Sequence, residues 1–152
     1  MLTVGLLINS DFAYAYIKRK EQEILLHNGY GGCDYELDCE QIVNNANYLH
    51  YMEHTRHRFC MDAGVSFTQM HNNGIDAVVR KIEIEYKTSL RGGDTFLSCL
   101  RVERKGARFI FHQDIIRSDG EVCTEAVVTC VILKDGKLTR GDELARLFAK
   151  YL

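Results

Sequence analysis

Tyr35-Glu36-Leu37-Asp38-Cys39-Glu40-Gln41-Ile42-Val43-Asn44-Asn45-Ala46-Asn47-Tyr48-Leu49 is the stretch on which the reading of this chain turns. It sets an acid one loop ahead of a helix start. Asn44 and Asn45 carry cap chemistry, and Ala46 to Met61 has few strand formers and apolar residues at helical spacing. The first amides of a helix have no partner within it and lie at the positive end of its dipole. A carboxylate held at a strand end beside such amides, here Asp38, is an acyl-transfer arrangement. The amides polarise a carbonyl and hold its oxyanion, while the acid attacks the acyl carbon or takes a proton from attacking water.

On a wheel of about 100° per residue, Ala46, Tyr48, Leu49, Met52, Thr55, Phe59 and Cys60 share one arc, and Asn47, His50, His54, His57 and Arg58 hold the other. One face is therefore core and the other polar. Glu53 and Arg56 fall within or beside the apolar arc at i, i+3 spacing, where each is expected to neutralise the other. Gly64 ends the helix as a C-cap glycine.

Outward from the helix the period changes. Upstream, Glu23 to Leu37 combines the apolar run Ile24-Leu25-Leu26 with Gly29, Gly31 and Gly32, which suggests an interrupted or bulged first strand. Downstream, Ile75 to Tyr86 puts Ile82, Ile84 and Tyr86 on one face and Lys81, Glu83 and Glu85 on the other, the alternation of a half-buried strand. Thr95 to Glu103, Arg108 to Ile116 and Val122 to Leu133 follow, separated by the turns Lys105-Gly106 and Asp119-Gly120, so a meander is expected. Asp142 to Leu152 closes the chain as a short helix with Leu144, Leu147, Phe148 and Tyr151 on one side. One apolar-faced helix laid across a long antiparallel sheet makes an α+β domain.

Composition agrees with one such domain. The chain has 152 residues, 46% apolar and 26% charged, with no proline, which removes disordered, membrane-spanning and Pro-rich linker classes. Its formal charge of −2 argues against general nucleic-acid binding. Cys33, Cys39, Cys60, Cys99, Cys123 and Cys130 contain no CxxC pair and read as reduced, mostly buried thiols. Met1 to Ile8 is apolar but lacks a basic lead-in, so a secretory signal fits poorly and a cytoplasmic location is expected. Residues 1–20 form an extension with no clean period, and 21–152 a single domain.

Residue for residue, the opening segment resembles the hotdog-fold acyl-CoA thioesterases of the 4-hydroxybenzoyl-CoA thioesterase type. The family pattern has Asp at the end of the first strand, Val-Asn-Asn-Ala-x-Tyr opening the central helix, then Tyr/Phe-x-Glu and often Arg. This chain has Asp38, Val43-Asn44-Asn45-Ala46-Asn47-Tyr48, Tyr51-Met52-Glu53 and Arg56 in register, and Tyr86 to Asp94 is similar to the family's second block. It departs in having Gln41-Ile42 where the family commonly has Gly and often His, and Thr88 where it has Pro.

The resemblance implies a hotdog fold, a long antiparallel sheet wrapped around one central helix. It further implies Asp38 as nucleophile or general base and the Asn45 backbone amide as carbonyl polariser; Asn44, Tyr48, Glu53 and Arg91 are the candidate substrate-side residues. No cofactor is implied, coenzyme A entering only as part of the substrate. Partners are acyl-CoA or acyl carrier protein, with neither nucleic acid nor membrane, in a homodimer or a tetramer of dimers with sites between subunits.

Plainer roles compete at each position. Asp38 can be a turn acid, Asn44 and Asn45 simple caps, and Glu53 a buried partner for Arg56, the role favoured for it over catalysis. His50-Tyr51-Met52-Glu53-His54 also spells the H-x-x-E-H of inverted zinc peptidases; with no third acidic ligand marked downstream, a solvated or interface histidine row is preferred. Cys39 is read as a packing residue, since its neighbour in a strand points to the other face. Of the basic residues Lys87, Arg91, Arg101, Arg104, Lys105 and Arg108, Arg91 is the one singled out for the phosphates of coenzyme A. The second hypothesis is a non-catalytic hotdog module that binds acyl-CoA or acyl carrier protein, the Gln41-Ile42 loop having misaimed the acid.

Overall fold

The computed structural model describes residues 25–30 and 34–152. The extension over 1–20 and Cys33 lie outside them. Strand β1 (Leu25–Tyr30) and a 3-10 turn (Asp34–Glu36) lead to helix α1 (Asn45–Asp62) and the short helix α2 (Phe67–Asn72). Then come β2 (Ile75–Tyr86), β3 (Thr95–Lys105), β4 (Arg108–Arg117), β5 (Val122–Lys134), β6 (Lys137–Thr139) and α3 (Asp142–Leu147).

All strands pair antiparallel in the order β1-β3-β4-β5-β2, with β6 also on β5. The Gly106 and Gly120 turns join β3, β4 and β5 as the expected meander, but β2 is not next to β3. It lies at the far edge, paired with β5 along its whole length from Ile75↔Lys134 to Tyr86↔Thr124. The link from β2 to β3, residues 87–94, must therefore pass beneath the ends of two strands, about 10–15 Å at sheet spacing. That detour carries it under the start of α1.

α1 lies on the sheet through Tyr48, Met52, Thr55, Phe59 and Cys60, a stripe at i, i+4, i+7 and i+11 with one neighbour. Two polar contacts fix its register: the Thr55 hydroxyl donates to Ser98 Oγ at 2.7 Å, and Gln113 Nε2 donates to the Met52 carbonyl at 2.9 Å. Ser98 and Gln113 are themselves buried, so each hydrogen bond satisfies a group that water cannot reach. Glu53 and Arg56 form no close ion pair, although the Glu53 charge still favours the charged guanidinium. Arg56 sits only about 40° around the helix from Met52 and points at β4, donating from Nη1 to Gln113 Oε1 at 2.7 Å, while Glu53, about 100° away, is exposed. Ala46, placed in the apolar arc by the wheel, is exposed.

At its C-terminus α1 ends as expected, with Ala63 as C-cap and Gly64 at φ +86°. The second helix of the pair, α2, was not anticipated; Ser66 caps it, and Phe67 stacks on His57 of α1 with ring centroids 4.9 Å apart. α3 is shorter than expected, and only its Leu144 and the following Phe148 are buried, leaving Leu147 exposed.

Candidate active site

The turn that holds Asp38 is built from short-range hydrogen bonds. Leu37 bridges Val43, the Asp38 amide donates to the Ile42 carbonyl at 2.9 Å, and the Gln41 amide donates to the Asp38 carbonyl at 3.0 Å. Asp38 Oδ1 accepts from the amides of Glu40 at 3.0 Å and Ile42 at 3.4 Å, which locks the carboxylate to its own turn. No hydrogen bond to Oδ2 is made among the described residues. Closing the turn needs a left-handed residue, and Gln41 takes that conformation at φ +59°, at the place where the resembling family commonly has glycine.

Behind this turn the helix start is anchored twice. The Asn44 amide and Asn47 Nδ2 both donate to the Glu36 carbonyl, at 2.8 and 2.9 Å, and Asn44 Oδ1 accepts from the Ala46 amide at 3.0 Å as the N-cap. The first turn of α1 contains no acid, so its positive end is not neutralised from within. Among the described residues the Asn45 amide has no acceptor, and the Asn45 carbonyl accepts from the Tyr86 hydroxyl at 3.0 Å. The link 87–94 closes the other side. Val43 donates to the Leu90 carbonyl at 2.8 Å, Ile42 bridges Arg91, and the Leu90 amide donates to the Tyr48 hydroxyl at 2.8 Å.

These pieces enclose a cavity of about 180 Å³ lined by Asp38, Ile42, Val43, Asn45, Tyr48, Tyr86, Lys87, Thr88 and Ser89. Asp38 and Asn45 thus share one wall system, with the ring of Tyr48 between sheet and helix. Asn44 stands behind it as a cap. Glu53 is exposed two turns along α1 and lines a different cavity. Arg91 is exposed, its amide donating to Asp94 Oδ2 at 2.8 Å, and it does not line the Asp38 cavity. Lys87 reaches the cavity but is engaged by Glu125 at 2.6 Å and Glu85 at 3.8 Å, which hold its ammonium pKa up. Burial raises the Tyr48 hydroxyl, so it remains a neutral acceptor for the Leu90 amide.

Cys39 does not pack. Residues 38–41 form a turn rather than a strand, strand parity fails, and the exposed thiol donates to Glu40 Oε2 at 3.0 Å, a carboxylate that raises its pKa. His50, Glu53 and His54 are exposed on α1, and among the described residues no group of three metal-ligating side chains converges. Tyr86, Thr88 and Ser89 are cavity residues that sequence reading did not assign. Tyr86 had a signal, as the last apolar position of an alternating strand, whereas Thr88 and Ser89 had none. A larger hollow of about 430 Å³ lies on the sheet face away from α1, among Glu83, Glu85, Arg101, His112, Asp114 and Glu125. It has no helix start, and four carboxylates, Arg101 and His112 share its lining with Ile84, Cys99, Leu100, Ala126 and Val127, so size alone does not make it the site.

Comparison with known proteins places this geometry in context. The family model of the thioesterase-like superfamily matches residues 34–146. A putative esterase from Aquifex aeolicus is 30% identical over 105 residues, 68% of this chain and 81% of the relative. The chloroplastic acyl-acyl carrier protein thioesterase ATL3 of Arabidopsis thaliana is 31% identical over 83 residues, 55% of this chain; the match spans only 44% of that relative's length. In fold the chain is similar to a DHNA-CoA thioesterase from Staphylococcus aureus, with a TM-score of 0.75 at 20% identity over 84% of this chain and 89% of that one.

Proposed function

The chain belongs to the thioesterase-like superfamily and has the hotdog fold, and from that premise we propose that it hydrolyses an acyl thioester of coenzyme A or acyl carrier protein to the free acid and thiol. The observation that carries the proposal is a single cavity holding both an anchored carboxylate, Asp38, and a helix-start amide, Asn45, that has no acceptor among the described residues.

In the reaction the thioester carbonyl oxygen accepts from the Asn45 N–H, assisted by the α1 dipole, as negative charge develops on it. Asp38 acts on the carbon through the oxygen that its own turn leaves unengaged. As nucleophile it forms a mixed anhydride and expels the thiolate, and water then cleaves the anhydride. As general base it takes a proton from water, the hydroxyl adds to the carbonyl, and the thiolate leaves carrying that proton or one from solvent. Both routes consume one water and yield one acid and one thiol. Tyr86 bonds the Asn45 carbonyl and so ties the first turn of α1 to the end of β2 at the cavity.

Acyl carrier protein and coenzyme A present the same pantetheine arm. One relative is named for the former and a structural neighbour for a coenzyme A thioester, which supports keeping both as substrates. Assembly as a homodimer or a tetramer of dimers, with pantetheine running out between subunits, completes the proposal. The rival reading, a non-catalytic binding module, draws on the bonds that tie Asp38 Oδ1 to Glu40 and Ile42; the second oxygen, which accepts no hydrogen bond among the described residues, favours catalysis. Free-thiol release from acyl-CoA and acyl carrier protein thioesters separates the two. Turnover of either substrate supports hydrolysis, and tight binding without thiol release supports the module.

A further inference from the structure

On the side of β2 that faces α1, three large apolar side chains stand exposed in one line: Tyr86 at 44%, Ile82 at 38% and Val79 at 46%. Strict alternation would put Val79 and Ile82 on opposite faces. The bulge between Val79 and Lys81 prevents this, so that Val79 pairs with Cys130 and Ile82 with Val128, both core residues on the helix side. The strip therefore runs unbroken along one face. At one end Tyr86 borders the Asp38 cavity and holds the Asn45 carbonyl. At the other, Val79 lines a second cavity of about 280 Å³ between α1, α2 and the sheet.

Most of that cavity's lining is apolar, including Cys60, Phe67, Met70, Phe109, Ile132 and Phe148; the exposed Glu53 and His57 also line it, and the guanidinium of Arg56 is turned to Gln113. α2 closes its back through the Phe67–His57 stack. An apolar strip that starts at a reaction centre and ends in an apolar hollow fits a flexible hydrocarbon better than a planar aromatic group.

We propose, resting on the thioesterase reading above, that the substrate is a long straight-chain acyl thioester whose chain follows the β2 strip and whose distal end enters the α1–α2 cavity, with Val79 as the residue that gates chain length. The span sets the class. From Asn45 to Arg56 the helix rises about 16 Å and to Cys60 about 22 Å, at ~1.5 Å per residue. An extended alkyl chain advances ~1.3 Å per carbon from its bond lengths and tetrahedral angles. About twelve carbons reach the cavity mouth and about sixteen fill it; four to eight carbons reach neither.

The test compares thiol release from straight-chain acyl-CoA of four, eight, twelve and sixteen carbons by the wild type and Val79→Trp, with solution mass by light scattering. Val79 is exposed, so the larger ring fills the cavity mouth without overpacking the core. Burial is worth roughly fourfold in kcat/KM per methylene, so the wild type should favour twelve and sixteen carbons over four by well over tenfold. Val79→Trp should lose at least tenfold at twelve and sixteen carbons, with the four-carbon rate within about twofold of wild type. A flat wild-type profile, or an equal loss at every length, overturns the inference while leaving hydrolysis intact. An equal loss accompanied by a smaller solution mass assigns the strip to a second copy of the chain and overturns it as well. No thiol release at any length would sink the thioesterase reading and this inference with it.

Discussion

Tyr48→Phe removes one oxygen and nothing else. That hydroxyl accepts from the Leu90 amide at 2.8 Å, with Tyr48 3% exposed and Leu90 fully buried. The ring keeps its edge contacts with Tyr51 and Tyr86, at centroid distances of 6.2 and 5.4 Å. The change therefore leaves a backbone N–H without a partner where water cannot enter, at a cost of about 1–3 kcal/mol. For a chain of this size that corresponds to a melting temperature lower by about 3–10 °C. Leu90 also accepts from Val43, next to the Asp38 turn, so kcat should fall with stability while KM changes little. Urea denaturation followed by fluorescence measures it: the midpoint should drop with the slope unchanged. An unchanged midpoint with a raised KM would refute this reasoning and make the Tyr48 hydroxyl a substrate contact.

Gln41→Gly relieves a left-handed side-chain residue but loosens the unfolded chain, so stability should stay within about 1 kcal/mol of wild type with turnover retained. Gln41→Val, β-branched at φ +59°, should cost about 1–2 kcal/mol and reduce turnover by distorting the Asp38 turn; equal behaviour of the two variants by denaturation and assay would argue against a strained turn. Burial pushes the Cys60 thiol from 9.0 up to about 12 and Cys123 to about 11. The unfolded chain then loses these protons first as pH rises from 9 toward 12, the folded state binds more protons, and stability falls across that window. Denaturation midpoints that stay flat from pH 9 to 11 would contradict this. With iodoacetamide at pH 8 and peptide mapping, Cys39 should alkylate in the folded protein, more slowly than a free thiol, while Cys60, Cys99, Cys123 and Cys130 react only after unfolding.

How far the sequence could be read follows from the range of the forces involved. α1 was legible because its cap, apolar stripe and terminal glycine are all local, and β3, β4 and β5 because Gly-containing turns pair neighbours. The position of β2 was not: nothing local distinguishes an edge strand beside β5 from one beside β3, and its bulge carries no glycine. The link 87–94 was opaque for the same reason, although its path under α1 brings Thr88 and Ser89 to the Asp38 cavity and Leu90 to Val43 and Tyr48. Arg56 was mispaired because wheel spacing sees Glu53 and not Gln113, which lies on β4. Cys39 was misplaced because strand parity was applied to what is a turn.

The central claim is that the carboxylate of Asp38 acts on a thioester held by the Asn45 amide. Asp38→Asn keeps the Oδ1 acceptor for Glu40 and Ile42 and removes only the charge and basicity. Thiol release from the best acyl-CoA should fall by about 10²–10⁴-fold, with the denaturation midpoint and coenzyme A affinity close to wild type. Turnover within a few-fold of wild type in a fully folded Asp38→Asn protein would contradict the account.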